Sequence, residues 1–361
     1  MLIIITIILV LFGIIMVFSA SYYSSINTTE NGSPYSYLIK TIIYAVLGFI
    51  IMWFTGIFDY RRYKKLALIF LGISIVLLVL LIIPGVGITT NGATRWLGTG
   101  AFTIMPGEIA KIAVIIFVAR FLSQDPSRIR SFTKGILPLL ALCGVCGGLI
   151  YLQPNLSTAI TIIAIIIMMM FVAGLSWYWC GGIIGVGVAG ITTLLITDNG
   201  FWNERFTSFL NPFADALGDG YQVVQSLLAL GSGGLFGVGL GKSVQKNLYL
   251  PEPQNDFILA IIGEELGFIG IIVLLIMYAI LIWRGIHIAL NAPDQFGLLL
   301  ASGITIMLAI QVILNVAVVT SSMPPTGITL PLVSYGGNAL WLFMGSMGIL
   351  ANISRHSVKV K

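Results

Sequence analysis

The chain has 361 residues, of which 58% are hydrophobic and only 9% charged, with a mean hydropathy of +1.04; an ordinary soluble domain carries roughly 25% charged residues. That composition excludes a soluble globular domain. The net charge of +5 resides in short juxtamembrane clusters, a mark of orientation in a membrane rather than of nucleic acid as a partner.

Apolar stretches recur at about the 20 residues that an α-helix needs to cross a hydrocarbon core of about 30 Å, so helices carry the fold. Ten spans are predicted, at 1–20, 38–57, 66–84, 106–123, 135–152, 156–173, 177–197, 256–283, 297–320 and 338–353. The expected architecture is an all-α polytopic membrane protein, a single transmembrane domain over 1–361 with a large extracytoplasmic loop, 198–255, between spans seven and eight. The first span has no basic n-region and no small-residue cleavage site, so it reads as retained rather than as a signal peptide. Arg61, Arg62, Lys64, Lys65, Arg128, Arg130, Lys134, Arg284, Arg355, Lys359 and Lys361 all fall on one side. The positive-inside rule makes that side cytoplasmic, together with both termini. The longer segments 21–37, 85–105, 198–255 and 321–337 face the other way, and chemistry is expected there. Cys143, Cys146 and Cys180 lie in apolar runs without metal-site spacing and read as buried packing.

The segment 85–105 ends in NGATRWLGTGAFTIM and runs into a Pro-started helix, PGEIAKIAV. Arg95 and Trp96 precede that helix, and Glu108 and Lys111 share one of its faces. At 1.5 Å per residue Lys111 lies about 7 Å below the helix start, at the hydrocarbon edge. The pair reads either as self-neutralising charge or as the wall of a polar site. Trp96 reads equally as an interfacial anchor.

The centre of 198–255, GYQVVQSLLALGSGGLFGVGLGKS, is too broken by glycine for a full span and is expected as a membrane-surface or re-entrant amphipathic helix. Its GxGxG look invites a nucleotide reading, which fails because no βαβ pattern flanks it. KSVQKNLYLPEPQNDFILAIIGEELGF follows, placing Lys242 and Lys246, then Glu252 and Asp256 in a Pro-bracketed loop, then Glu264 and Glu265 in an apolar run. An acid at a bilayer helix centre costs about 2.5 to 3.5 kcal/mol, so acids entering such a run are a functional hypothesis. The plainer reading is solvated loop acids with Asp256 capping the next helix; two loop acids and an acidic pair exceed what capping requires. The last outer segment, SSMPPTGITLPLVSYGGNALW, is crowded with Pro, Gly and hydroxyls, including Ser334. It is expected to be rigid and non-helical, lining a polar pocket or satisfying itself. Gln311 and Asn315, at i, i+4, read as interhelical hydrogen-bond glue.

These motifs, in this order, resemble the SEDS family (shape, elongation, division and sporulation), bacterial membrane glycosyltransferases that polymerise peptidoglycan. The resemblance covers nearly the whole chain. It rests on RWLGTG at 95–100, PGEIAK at 106–111, GGLFGVGLGKSVQKNLYLPEPQNDF at 233–257, EELG at 264–267 and PPTGITLPLVSYGG at 324–337. TGITLP and YLPEPQNDF look more like the FtsW and SpoVE branch than RodA. The resemblance implies polymerisation of lipid II on the outer face of the bacterial cytoplasmic membrane, for division or sporulation wall synthesis. It also implies a class B penicillin-binding protein as transpeptidase partner, with membrane lipids around the chain. By the same resemblance Asp256 matches the residue that polymerisation needs, and Arg95, Trp96, Glu108 and Lys111 match the extracytoplasmic cavity.

The expected reaction is attack of the acceptor GlcNAc 4-hydroxyl on the donor MurNAc C1, inverting that centre as undecaprenyl pyrophosphate leaves. Asp256 is the expected general base, and substrate binding is expected to draw also on Lys242, Lys246, Glu252, Glu264 and Ser334. The leaving pyrophosphate needs positive charge from Arg95, Lys111, Lys242, Lys246 or a divalent cation, Mg or Mn, and the sequence does not choose among these. Two other readings stand beside it. A flippase for the same lipid fits intramembrane charge but wants paired broken helices near the midplane; a noncatalytic scaffold leaves the acids at 252–265 unexplained.

Overall fold

The structure, a computed structural model, describes residues 1–28, 33–90, 93–99, 102–197, 209–218 and 220–357. Residues 198–208 and 219 of the long segment, Gly100 of RWLGTG, and the closing Lys359 and Lys361 lie outside the described residues.

Eleven α-helices are described: α1 (Leu2–Thr28), α2 (Ser36–Ile57), α3 (Tyr60–Leu80), α4 (Pro106–Gln124), α5 (Leu137–Tyr151), α6 (Leu156–Val172), α7 (Trp177–Thr197), α8 (Tyr221–Gly233), α9 (Ile258–Leu290), α10 (Gln295–Val319) and α11 (Gly337–Arg355). All but α8 coincide with predicted spans. Among the described residues, six stretches are long and apolar enough to cross a membrane: α1, α2, α3, the run Phe132–Tyr151 that includes α5, α9 and α10. The chain is therefore an all-α polytopic membrane protein.

One feature was not expected. The segment before α4 folds into a three-stranded antiparallel sheet, β1 (Gly87–Thr90), β2 (Ala93–Thr99) and β3 (Phe102–Ile104), in the order β1-β2-β3. Ile88 faces Trp96, and Leu97 faces both Gly87 and Ile104. Backbone groups outside a helix at a membrane surface must find partners, and pairing strands is the local way to supply them.

Helix α4 packs on α3, α6 and α10 and is buried along most of its length, from Pro106 and Gly107 to Leu122. Small residues such as Ala110, Ala113 and Ala119 let its neighbours close in, which is how helices associate without a hydrophobic drive between them. Pro106 stands in its first turn as the sequence reading expects.

Helix α9 was predicted as one span and is broken. Gly267 has φ 70° and ψ −171° inside it. The break frees backbone groups that lipid cannot satisfy, and the glycine-rich loop after α8 satisfies them. Val238 N donates to the Glu264 carbonyl at 2.9 Å and Gly239 N to the Glu265 carbonyl at 3.0 Å. In return Phe268 N donates to Gly234 O at 2.9 Å and Ile269 N to Leu235 O at 3.2 Å. A Cβ on Gly267 would collide with the Gly237 nitrogen, and one on Gly237 with the Glu265 carbonyl. The GxGxG-like pattern is thus the inner face of a helix break, with α8 packed on α9 beside it.

Candidate functional site

Asp256 lies just ahead of α9 and is half-buried. The helix N-cap falls on Phe257, so Asp256 stands one residue outside α9. It faces the segment between α10 and α11. A Cβ built on Gly327 would lie 3.7 Å from Asp256 Oδ2, and Gly327 itself has φ 69°, a backbone state that glycine enters without strain.

Three interactions join the two loops. Tyr335 N donates to Gln254 O at 2.9 Å. Asn315 Nδ2, from α10, donates to the Asp256 backbone carbonyl at 2.8 Å and to Ile328 O at 2.7 Å. Within the Pro-bracketed loop Glu252 accepts from Asn255 Nδ2 at 2.7 Å and Gln254 Nε2 at 3.2 Å. Ser334 is buried, and its Oγ accepts from Leu330 N at 2.8 Å, closing the turn that presents Tyr335. Tyr335 packs edge-on to Tyr37, ring centroids 4.9 Å apart. Burial pushes its phenol well above the usual range, and Tyr44, Tyr37 and Glu252 nearby push the same way.

Arg95 connects to this seam through α6, and β3 connects to α11. Arg95 Nη2 donates to Pro154 O in the turn before α6, Asn155 caps α6 by accepting from Thr158 N at 3.3 Å, and Ser157 Oγ donates to Thr326 O, next to Gly327. Asn338 Nδ2 of α11 holds Thr103 O of β3 at 3.0 Å. Trp96 stands on β2, half-buried. Lys111 Nζ and Glu108 Oε1 form an ion pair of 2.7 Å, with side chains 1% and 11% exposed. Glu108 Oε2 is buried without a hydrogen-bond partner, an oxygen open to a donor that the protein does not supply.

Three candidates stand elsewhere, at the α9 break. Lys246 is buried and paired to Glu265 at 2.8 Å, with Ser19 Oγ of α1 at 2.7 and 2.8 Å from the two carboxylate oxygens. Glu264 is engaged by Ser243 Oγ, by Val244 N at 2.8 Å and by Gln245 N at 3.3 Å. Lys242 is exposed beside them. A cavity of about 270 Å³ opens there, lined by Phe18, Tyr22 and Tyr23 of α1 together with Leu240 and Lys246, and not by Asp256.

Sequence reading passed over Asn315, Ser157, Gln254 and Tyr335 as parts of the site. The last two lie within the PEPQNDF and TGITLPLVSYGG motifs, and Asn315 reads from sequence as helix glue. None of those contacts is local in the chain.

The family model for FtsW, RodA and SpoVE, described as a cell cycle protein, matches residues 1–359. Stage V sporulation protein E of Bacillus subtilis is 44% identical over 99% of this chain and 97% of its own. A probable peptidoglycan glycosyltransferase FtsW of a Geobacter species is 40% identical over 96% of this chain and 94% of its own. Among solved structures, a chain from a peptidoglycan synthase complex that coordinates polymerisation and crosslinking superposes with a TM-score of 0.81 at 28% identity, over 98% of this chain and 96% of that one. The rod shape determining protein RodA of Thermus thermophilus gives 0.71 at 26% identity, over 99% and 97%.

Proposed function

From its place in the FtsW, RodA and SpoVE family, to which the chain belongs, we infer that it is a peptidoglycan glycosyltransferase that polymerises lipid II for division or sporulation wall synthesis. The observation that carries this reading is the position of Asp256: a half-buried residue at the seam of two hydrogen-bonded loops, its side chain against Gly327.

The chemistry follows from that placement. Asp256 accepts the proton of the acceptor sugar hydroxyl as it attacks the donor anomeric carbon, and the donor's lipid pyrophosphate departs from the opposite face with inversion. A base needs fixed geometry more than extra reactivity, and the Pro251 and Pro253 bracket limits the motion of its loop. Lys111 and Arg95 are our candidates for charge on the pyrophosphate side. Lys246 is less suited, because it stands at the α9 break, on a cavity that Asp256 does not line. Among the described residues no three His, Cys, Asp or Glu side chains gather into a metal cage. A divalent cation, Mg or Mn, is a further candidate for charge on the pyrophosphate side, where substrate phosphate oxygens would supply ligands.

Orientation follows from the basic clusters: both termini in the cytoplasm and the Asp256 end outside. The likeness to a chain of a synthase complex that also crosslinks supports a transpeptidase partner, in our reading a class B penicillin-binding protein. The break in α9 is a feature of carriers too, but carriers pair such breaks in two halves, and Gly267 is satisfied by its own loop. Purified protein with labelled lipid II tests the reading: glycan ladders are expected. Label protected after reconstitution, without ladders, would mean a flippase, and neither result would mean a scaffold.

A further inference from the structure

Asn315 occupies an unusual position for a polar residue in a membrane helix. It sits near the end of α10, fully buried, and its amide nitrogen faces two carbonyl oxygens from two different loops, Asp256 O at 2.8 Å and Ile328 O at 2.7 Å. Only the donor end of the amide can face two acceptors, so its orientation is fixed, and both of its protons are used.

Both carbonyls belong to residues outside the helices. Asp256 precedes α9, whose first backbone bond, Ala260 N to Phe257 O, starts one residue later. Ile328 lies in a stretch of the α10–α11 segment that is neither helix nor strand. The bond to Ile328 O is buried, and a buried carbonyl that loses its donor is costly. One side chain therefore holds both edges of the seam in which the Asp256 carboxylate lies against Gly327.

We propose that Asn315 is a positioning residue for glycan polymerisation, clamping the backbone of Asp256 to the TGITLP segment so that the carboxylate is held at the reacting hydroxyl. The proposal rests on the reading of Asp256 as the base. Loss of the clamp leaves the substrate-binding surfaces on β2 and α4 in place while freeing the Asp256 backbone, so turnover falls and substrate affinity does not. Displacing a catalytic group by about 1 Å costs up to about a hundredfold.

The test measures kcat and KM for lipid II polymerisation in four purified variants. Asn315→Leu keeps volume and removes both donors; it is expected to lose ten- to a hundredfold in kcat with KM within about threefold. Asn315→Asp places a carboxyl against two carbonyl oxygens, where desolvation holds it protonated; it returns one donor, so its kcat should lie between Asn315→Leu and the unsubstituted protein. Gln311→Leu, one turn away on the same helix and also buried, reports generic loss of a polar group from α10 and should keep kcat. Asp256→Asn separates the two readings: if it is inactive while Asn315→Leu polymerises normally, the positioning role is wrong and the base assignment stands; if Asp256→Asn is active, the base assignment itself is wrong. Should Asn315→Leu fail to insert, the same kcat-without-KM loss is required of Asn315→Asp. A loss confined to KM, or a Gln311→Leu loss equal to that of Asn315→Leu, overturns the proposal.

Discussion

Lys246 Nζ lies 2.8 Å from Glu265 Oε1, and the two side chains are 4% and 0% exposed. The pair ties the loop after α8 to the upper half of α9, just above the break at Gly267, with Ser19 of α1 completing it. Breaking a buried pair from one side strands a charge, which costs about 3–5 kcal/mol. Lys246→Met and Glu265→Gln should each lower thermal stability in detergent, and the double substitution should recover most of the loss. Singles as stable as the unsubstituted protein would mean that the pair is solvated.

The same logic applies to Glu108 and Lys111, at 2.7 Å with side chains 11% and 1% exposed, with a different functional expectation. Glu108→Gln and Lys111→Met should each be less stable than the double, by about 3–5 kcal/mol if burial is complete. All three should lose polymerisation, because the double restores neutrality without restoring the charge offered to substrate. A double variant with full activity would make this pair purely structural.

The glycines of the α9 break give a purely steric prediction. Gly267→Ala puts a side chain at φ 70° and against the Gly237 nitrogen, so a stability loss of about 1–3 kcal/mol is expected from the backbone state alone, with the collision added. Gly231→Ala in α8, where a Cβ meets nothing within 4 Å, should be neutral or gain up to about 1 kcal/mol. Thermal unfolding of the two variants side by side checks the contrast.

Tyr335 supplies a pH prediction. Its phenol is held above the ordinary value of about 10 by burial. Above that pH the unfolded chain releases this proton while the folded chain keeps it, so the folded state binds more protons and stability falls as pH rises. Below about pH 10 the group contributes no pH dependence. Tyr335→Phe should therefore flatten the alkaline decline in melting temperature and leave the profile near neutrality unchanged; an equal decline in the variant would contradict this.

The fold was legible where the physics is local. Apolar runs of span length located ten helices, Pro106 marked the start of α4, and the three-residue spacing of Glu108 and Lys111 announced their contact. What escaped depends on partners distant in the chain. Glu264 and Glu265 are adjacent, and successive residues point about 100° apart on a helix; one therefore serves the loop backbone and the other an ion pair with Lys246, a division no spacing reveals. The sheet at Gly87–Ile104 is too short and too interrupted by glycine to register as strands. Gly267 reads as an ordinary helical glycine until the loop at 234–239 is seen pairing with its neighbours. Asp256 was singled out by its motif, whereas Asn315, which holds its backbone, lies 59 residues away.

The central claim is that the Asp256 carboxylate accepts the proton in glycan polymerisation, and its replacement by an amide tests that most directly. Asp256→Asn keeps the side chain's shape and the backbone carbonyl that Asn315 grips. The purified variant, assayed with lipid II beside the unsubstituted protein at matched amounts, should insert and unfold normally while polymerising slower by about 10² or more. Asp256→Asn producing glycan ladders at the unsubstituted rate would contradict the account and turn attention to Glu252.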